Sequence, residues 1–527
     1  GGFWGAELKK AGFDSIIVEG VSAGPVYLRV TDGQAEIRTA DHLWGLDTAE
    51  TDKTIKDELK DQQSRVACIG PAGEKLVRFA CVAHDVVHMA GRNGLGTVMG
   101  SKGLKAVAVR GSKRPKAHNA AALKELSRWM GKHYREKTRF WQCGTGSTMI
   151  AYEASGNLPI RNFQGGKFPS VTKITPQYMM EQDYVEKMEG CFICPVKCKR
   201  KVRLNHPWMV DSVYGGPEYE TLAALGSNCG IDQVEALIKA NEICNRHGMD
   251  TISTGVAISF AMECFENNIL TKEETDGLEL EFGNAEAMLE MTEQIATRQG
   301  LGDLLAEGVK RASEKMEGGA SRYAMHVKGC EIPMHEPRYK QGLALHYSVH
   351  GNGPDHCTGI HDDLVVNNLA PWDRIDVAEW MPSTEISPRK ARMLYHTGLW
   401  RQVGNYLGLC LFVPWSQSQI CEALEAVTGW PMSAWRLMKT LERGITLTRI
   451  FNLREGLSRS DDALPERFFA PTPEGPLKDS PIDAEAYAKA REAYYQMLGW
   501  NERGVPTYGR LVELGIEWAG QFLDHPE

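Results

Sequence analysis

The sequence predicts an α+β protein: a β-rich first lobe at residues 1–116, a helical domain at 117–325 and a second, mainly helical domain at 326–527. Three observations predict it. Short strand-like runs separated by turn residues crowd the first 116 positions. Apolar residues at helical spacing, with polar starts and glycine stops, dominate from Ala120 onward. A length of 527 residues also exceeds what one hydrophobic core accommodates.

In chain order, Ser15–Glu19 and Val26–Val30 read as strands, and Thr31-Asp-Gly-Gln34 as the turn into a third at Ala35–Arg38. Ser64–Gly70, Leu76–Ala80 and Lys105–Arg110 continue the pattern. The basic stretch Lys113–His118 reads as a linker, and Ala120–Lys137 as the first long helix. Pro217 suits the first turn of a helix that stops near Gly226. A second runs from about Asp232 to His247 with Gly248 as terminator, and hydroxyls around Thr251 cap a third that continues through Cys264. Gly302–Lys315 and Met432–Asn452 are also helical by period.

Composition excludes some functions. A net charge of −8 argues against nucleic-acid binding, and no apolar run reaches the roughly 18–20 residues that span a membrane. Thirteen cysteines, an odd number in a long chain, fit reduced thiols in the cytoplasm better than a disulfide framework. Cys68, Cys81, Cys244 and Cys264 sit in apolar runs and read as core. The chain opens on Gly1-Gly-Phe-Trp4 with neither a methionine nor a signal peptide, so it reads as a fragment beginning inside a domain.

Chemistry concentrates after Glu189. Cys191, Cys194 and Cys198 form a C-x2-C-x3-C loop that suits a soft metal centre. No second close Cys or His pair follows, as a structural zinc site would require, so a fourth ligand comes from far away. Cys410, after a glycine in an apolar stretch, is the best candidate. The alternatives are an iron–sulfur cluster, zinc, or plain core cysteines. Glu218 and Glu220 open a helix, where a carboxylate favours the positive end of the dipole. Glu220 precedes the apolar run Thr221–Leu225, so partial burial would raise its pKa and let it move protons near neutrality. Five histidines between His335 and His361 lie in Gly- and Pro-interrupted sequence, which fits either metal binding or a polar surface loop. The glycines of Met89–Gly96 allow either close approach to a ligand or a tight strand connection.

Several motifs in the same order resemble the tungsten-containing aldehyde:ferredoxin oxidoreductase family. They are Gly1–Lys9, Ile69–Glu74, Ala90–Gly96, Val98–Lys102, the cysteine loop, Gly216–Glu220, Gly248–Gly255 and Leu407–Phe412. The resemblance covers the chain from Gly1 to the last helices. It implies that family's fold and a tungsten (or molybdenum) ion held by two pterins, with Mg2+ bridging the pterin phosphates and a [4Fe-4S] cluster nearby. Carried over, Cys191, Cys194, Cys198 and Cys410 would ligate the cluster. Met89, Ala90, Gly91, Arg92, Met249, Asp250 and Leu409 would contact the cofactor, as would Asn245 and Asn405 where the aldehyde enzymes have aspartates. Glu220 and His356 would stand beside the metal with Tyr219 next to them.

The same resemblance implies aldehyde oxidation to carboxylic acid, with electrons leaving to ferredoxin or an iron–sulfur partner subunit, from an assembly of two or more copies. Thr358 replaces a cofactor-contacting lysine, and a family arginine and asparagine that help hold the phosphates and magnesium precede Gly1. Cys357 beside His356 departs from the aldehyde enzymes. The benzoyl-CoA reductase branch places a cysteine on the tungsten, which keeps low-potential reduction as the alternative.

Overall fold

The computed structural model describes residues 1–366, 372, 375, 377 and 379–523. Its first lobe is built on one mixed sheet of β1 (Val26–Thr31), β2 (Gln34–Thr39), β3 (Arg65–Cys68), β4 (Val82–His84), β5 (His88–Ala90) and β6 (Leu104–Arg110). Strand order is β2-β1-β6-β3-β4-β5, with β1 and β6 parallel and every other pair antiparallel. The Asp32-Gly33 turn, both residues at positive φ, closes the predicted β1–β2 hairpin. β6 lies near the centre of the sheet and is buried from Leu104 to Val109, its one charged residue, Lys105, being paired with Glu74. One face packs Tyr27, Val66 and Ala106 against Leu43 and Ile55, and the other packs Val30, Val107 and Val109 against Leu8 and Ala11.

Two predicted strands are absent. Ser15–Glu19 is irregular: Ile16 packs on the sheet, but Ile17 is 85% exposed and Val18 is exposed as well, so the run has no second layer to form a strand against. Leu76–Ala80 is a turn following the short helix Pro71–Glu74. Its Val77, Phe79 and Ala80 are buried in the helical core instead of a sheet face, and only Ala80 forms a bridge, to Met249. Burial against a distant layer produced the apolar pattern.

One apolar core runs through the helical part of the chain, from Ala72 to Trp500. At its centre lies helix Thr251–Glu266, buried from Ile252 to Cys264. A methyl group on Gly255 would come within 2.5 Å of the Ala224 carbonyl carbon, so the glycine lets helix Tyr219–Leu225 lie directly on it and sets the height of Glu220. The cap of the long helix is a carboxylate, not the expected hydroxyl: Asp250 accepts from the Ile252 and Ser253 amides at 3.0 and 3.3 Å. Helix Val234–His247 ends, as predicted, on left-handed Gly248, and Ala434–Arg454 starts two residues later than expected on the Ser433 cap. The expected helix 302–315 is two, Leu301–Leu305 and Val309–Lys315, because Gly308 at φ +80° breaks the ladder and Glu331 takes the freed Val309 amide at 2.9 Å.

The histidine-rich stretch corrects the surface-loop alternative. Every residue of helix Gln341–Val349 is buried, and Asp362 accepts from its Gly342 and Leu343 amides, each at 3.0 Å. Among the described residues no helix is long and apolar enough to cross a membrane.

Several buried histidines make the fold acid-sensitive. Burial is the main cause that holds His88 down to about 3 and His326 down to about 4, with Lys199 and Lys310 respectively adding repulsion. Both lie below the ordinary imidazole value of about 6.5, so the unfolded chain protonates first. Their contribution is fully present above about pH 6.5 and is lost on acidification, at up to about 1.4 kcal/mol per pH unit for each group. Tm measured between about pH 7 and 5 should therefore fall with pH, and the double variant His88→Gln/His326→Gln should flatten that slope. A slope the double variant leaves unchanged would contradict this account.

Candidate functional site

Glu220 lies in the first turn of helix Tyr219–Leu225 with its side chain 13% exposed, the partial burial expected from the apolar run behind it. Its Oε2 accepts from the Met334 amide at 2.8 Å. Its Oε1 is buried without a hydrogen-bond partner among the described residues, and it faces His335 Nε2 at 3.2 Å and His356 Nε2 at 3.6 Å. Tyr219 donates its hydroxyl to the Met334 carbonyl at 2.5 Å, and its ring packs on His335 with centroids 5.1 Å apart. Helix 219–225 and the 334–356 stretch are thus clamped together by adjacent residues of one helical turn.

His356 is the charged member of the group. Burial works against its imidazolium, but the Cys357 thiol and the Glu220 carboxylate push it up to about 10. Its Nε2 lies 3.4 Å from Cys357 Sγ, and Asp355 folds the loop by accepting from the Cys357 and Thr358 amides at 2.7 and 3.2 Å. Asp355, His356 and Cys357 form, among the described residues, the one group of three metal-ligand types whose donor atoms lie within 4.8 Å of one another. His335 and His361 have the opposite character, since burial first and then Lys340 hold both well below the ordinary imidazole range. Thr358 is buried and pairs with His346 Nε2 at 3.0 Å.

The cysteine loop lies across the start of the chain. The Phe192 amide donates to the Gly2 carbonyl at 3.1 Å, and a methyl on Gly1 would lie 3.4 Å from Cys191 Sγ. Burial pushes the Cys198 thiol up to about 12, and Glu218, Cys410 and Cys191 add to it. Burial also raises Cys410, with Cys191 and Cys194 adding to it. Cys410, in the loop after helix Pro388–Leu407, is therefore within electrostatic reach of the cysteine loop. The Phe140 and Phe412 rings, 4.4 Å apart, hold that loop in place. Glu218, the helix N-cap residue, makes no cap hydrogen bond; it pairs instead with Lys199 at 3.0 Å, beside Cys198.

Met89–Arg92 leaves the edge of the sheet at β5 and runs onto the start of the central helix. Arg92 binds Asp250 Oδ2 at 3.0 Å, and the Cys81 amide donates to the Gly248 carbonyl at 2.7 Å. The glycines here divide into two kinds. A side chain on Gly94, Gly96 or Gly100 would come within 2.3 Å of a backbone oxygen, so tight packing explains all three. Gly91 is different. Its nearest neighbour would be Cys81 Sγ at 3.7 Å, and it does not have a positive φ, so packing does not require it and close approach by a ligand would. Asn245 is buried and donates to the Tyr214 carbonyl at 2.8 Å, Met249 is buried, and Asn405 and Leu409 are exposed near Cys410.

Sequence reasoning assigned no role to Lys340 or Arg401, and His335 and His361 figured only among the five histidines read as metal binding or surface loop. Arg401, in helix Pro388–Leu407, feels both Cys357 and Cys410, and burial lowers its pKa. Its Nε is buried without a partner among the described residues, the condition a bound anion would relieve. No local spacing marks these residues; they meet only through the fold.

A largely buried carboxylate facing two histidines, with free thiols at Cys191, Cys194, Cys198 and Cys410, equips the chain as an oxidoreductase. Residues 1–111 match the family model of the aldehyde ferredoxin oxidoreductase N-terminal domain, and residues 121–516 match that of its domains 2 and 3. The chain belongs to the aldehyde ferredoxin oxidoreductase family. It is 36% identical over 525 residues to the tungsten-containing aldehyde ferredoxin oxidoreductase of Pyrococcus furiosus, covering 98% of this chain and 84% of that protein. The Thermococcus kodakarensis enzyme of the same name is 37% identical with the same coverage. An aliphatic sulfonate oxidoreductase WOR-like subunit of P. furiosus is 31% identical, covering 97% of this chain and 82% of that one. Among solved structures, the active-site complex BamBC of benzoyl coenzyme A reductase with 1,5-dienoyl-CoA superposes with a TM-score of 0.79 at 26% identity, covering 99% and 84% of the two chains.

Proposed function

We propose that this chain oxidises aldehydes to carboxylic acids with water, using a tungsten (or molybdenum) bis-pterin centre and passing electrons through a [4Fe-4S] cluster to ferredoxin or a partner iron–sulfur subunit. The observation that carries the reading is the buried Glu220 Oε1, without a hydrogen-bond partner among the described residues, facing His335 and His356.

The residues fit the groups the family implies. No three of the four loop and Cys410 thiols lie within 4.8 Å of one another. Around a single zinc, with Zn–S near 2.3 Å, tetrahedral sulfurs would be about 3.8 Å apart. The all-thiol donor set suits a cluster. Gly91 and the unmatched Arg401 Nε are features that a phosphate-bearing pterin would satisfy. Cys191, Cys194, Cys198 and Cys410 would hold the cluster. Met89–Arg92, Asn245, Met249, Asp250, Asn405 and Leu409 would hold the pterins, with a Met89–Arg92 carbonyl on the bridging Mg2+. When bound, the pterin-held metal supplies a two-electron acceptor and the cluster a one-electron outlet.

The chain's own groups then divide the work. The His356 imidazolium donates to the aldehyde oxygen and polarises the carbonyl, and the Glu220 carboxylate takes the proton of the attacking water. The Met334 amide fixes one Glu220 oxygen so that the other faces His335 and His356. The net reaction consumes aldehyde and water and yields acid, two protons and two electrons.

Protein purified without air should contain tungsten or molybdenum with about four irons per chain. It should also reduce a viologen with at least one member of an aldehyde panel. Zinc as the only metal would refute the reading. A second reading, low-potential reduction of an acid or acyl-CoA, is favoured by the close Asp355–His356–Cys357 group and by the benzoyl coenzyme A reductase likeness. On that reading Cys357→Ala removes one sulfur neighbour from the metal's X-ray absorption spectrum. On the aldehyde reading the spectrum is unchanged.

A further inference from the structure

Aldehyde oxidation on the reading above yields two protons for each electron pair, and the carboxylate that takes the first is largely buried. We propose that His335, His361, Lys340 and Asp363 form the proton exit from Glu220, a role that rests on the aldehyde-oxidising reading. His335 is 4% exposed, and its Nε2 lies 3.2 Å from Glu220 Oε1. Its Nδ1 is buried with no hydrogen-bond partner among the described residues, and its ring meets the His361 ring edge-on with centroids 4.3 Å apart. Lys340 is fully buried, its Nζ 2.9 Å from His361 Nδ1 and 3.1 Å from Asp363 Oδ1. An ammonium only donates, so His361 Nδ1 accepts, and its Nε2–H donates to the His356 carbonyl at 2.9 Å. Asp363, with its side chain 24% exposed, is where the row reaches water.

In each transfer one N–H or O–H bond breaks as another forms. The Glu220 carboxyl protonates His335 Nε2 and returns to carboxylate. His335 gives up its Nδ1 proton to His361 Nδ1 once Lys340 has turned its own proton to Asp363, and the His361 Nδ1–H then restores the Lys340 ammonium. Asp363 releases to water the proton it received. The electrons leave separately to the one-electron acceptor.

A merely structural Lys340–Asp363 pair would hold the loop without affecting proton timing, which supplies the test. His335→Gln and Asp363→Asn keep size and hydrogen bonding but carry no proton. Enzyme is mixed rapidly with a saturating aldehyde, with a viologen reporting electrons and an indicator dye reporting protons. Each variant should lose about tenfold or more in turnover at unchanged KM and metal content, with protons lagging electrons. Imidazole should partly restore His335→Ala. Wild-type timing in both conservative variants would overturn the exit route. If wild-type enzyme reduces viologen with no aldehyde, the functional reading is overturned instead. A substrate-free infrared measurement still decides the Glu220–His335 link: the carboxyl band assigned by its loss in Glu220→Gln should shift in His335→Gln, and an unmoved band would refute the link.

Discussion

Glu220→Gln is expected to lower turnover by about 10²–10⁴-fold while tungsten and iron content stay at wild-type levels. The amide fills the same volume and can still accept from the Met334 N–H at 2.8 Å, so the clamp between helix 219–225 and the 334–356 stretch survives. What is lost is proton acceptance at the position where Oε1 faces His335 and His356. At about 1.4 kcal/mol per tenfold, the expected loss corresponds to roughly 3–5.5 kcal/mol of transition-state stabilisation. Because the interaction matters only while a proton moves, kcat and kcat/KM should fall together. Near-normal turnover with normal metal content would remove Glu220 from the chemistry.

Asp462→Ala is expected to cost about 3–5 kcal/mol of stability without touching the Glu220 site. Asp462 is fully buried and receives Lys328 Nζ at 2.6 Å, Arg449 Nη1 at 2.8 Å and the Tyr495 hydroxyl. Lys328 and Arg449 have side chains only 3% exposed, so removing the carboxylate strands two cations in the interior. Burial already pulls the Lys328 pKa down, with Asp462 opposing it, which shows how much the lysine depends on this partner. Denaturant unfolding should show a lower midpoint. An unchanged midpoint would mean that water reaches both cations once the carboxylate is gone.

The legible parts of the site were those written locally. Cys191, Cys194 and Cys198 declare themselves by spacing, and Glu220 by its place at the head of an apolar helix. The Gly248 stop was visible because a helix terminus needs a particular backbone, whatever the rest of the fold does. Leu76–Ala80 misled because an apolar run records burial but not the layer that does the burying. The role of His335 was invisible for a related reason. Five histidines fall between 335 and 361, and nothing in their spacing says which one meets a carboxylate 115 positions earlier.

By itself the sequence determined the α+β class, the hairpin turn, the main helices and the three-thiol loop, because each follows from periodicity, turn chemistry or close spacing along the chain. Only the tertiary structure decided that the histidine stretch is interior, and that His335, His361 and Lys340 line up behind Glu220. Those features depend on which surfaces are removed from water together. That is settled by packing between distant elements, here helix 219–225 laid on helix 251–266 through Gly255 and clamped to Met334.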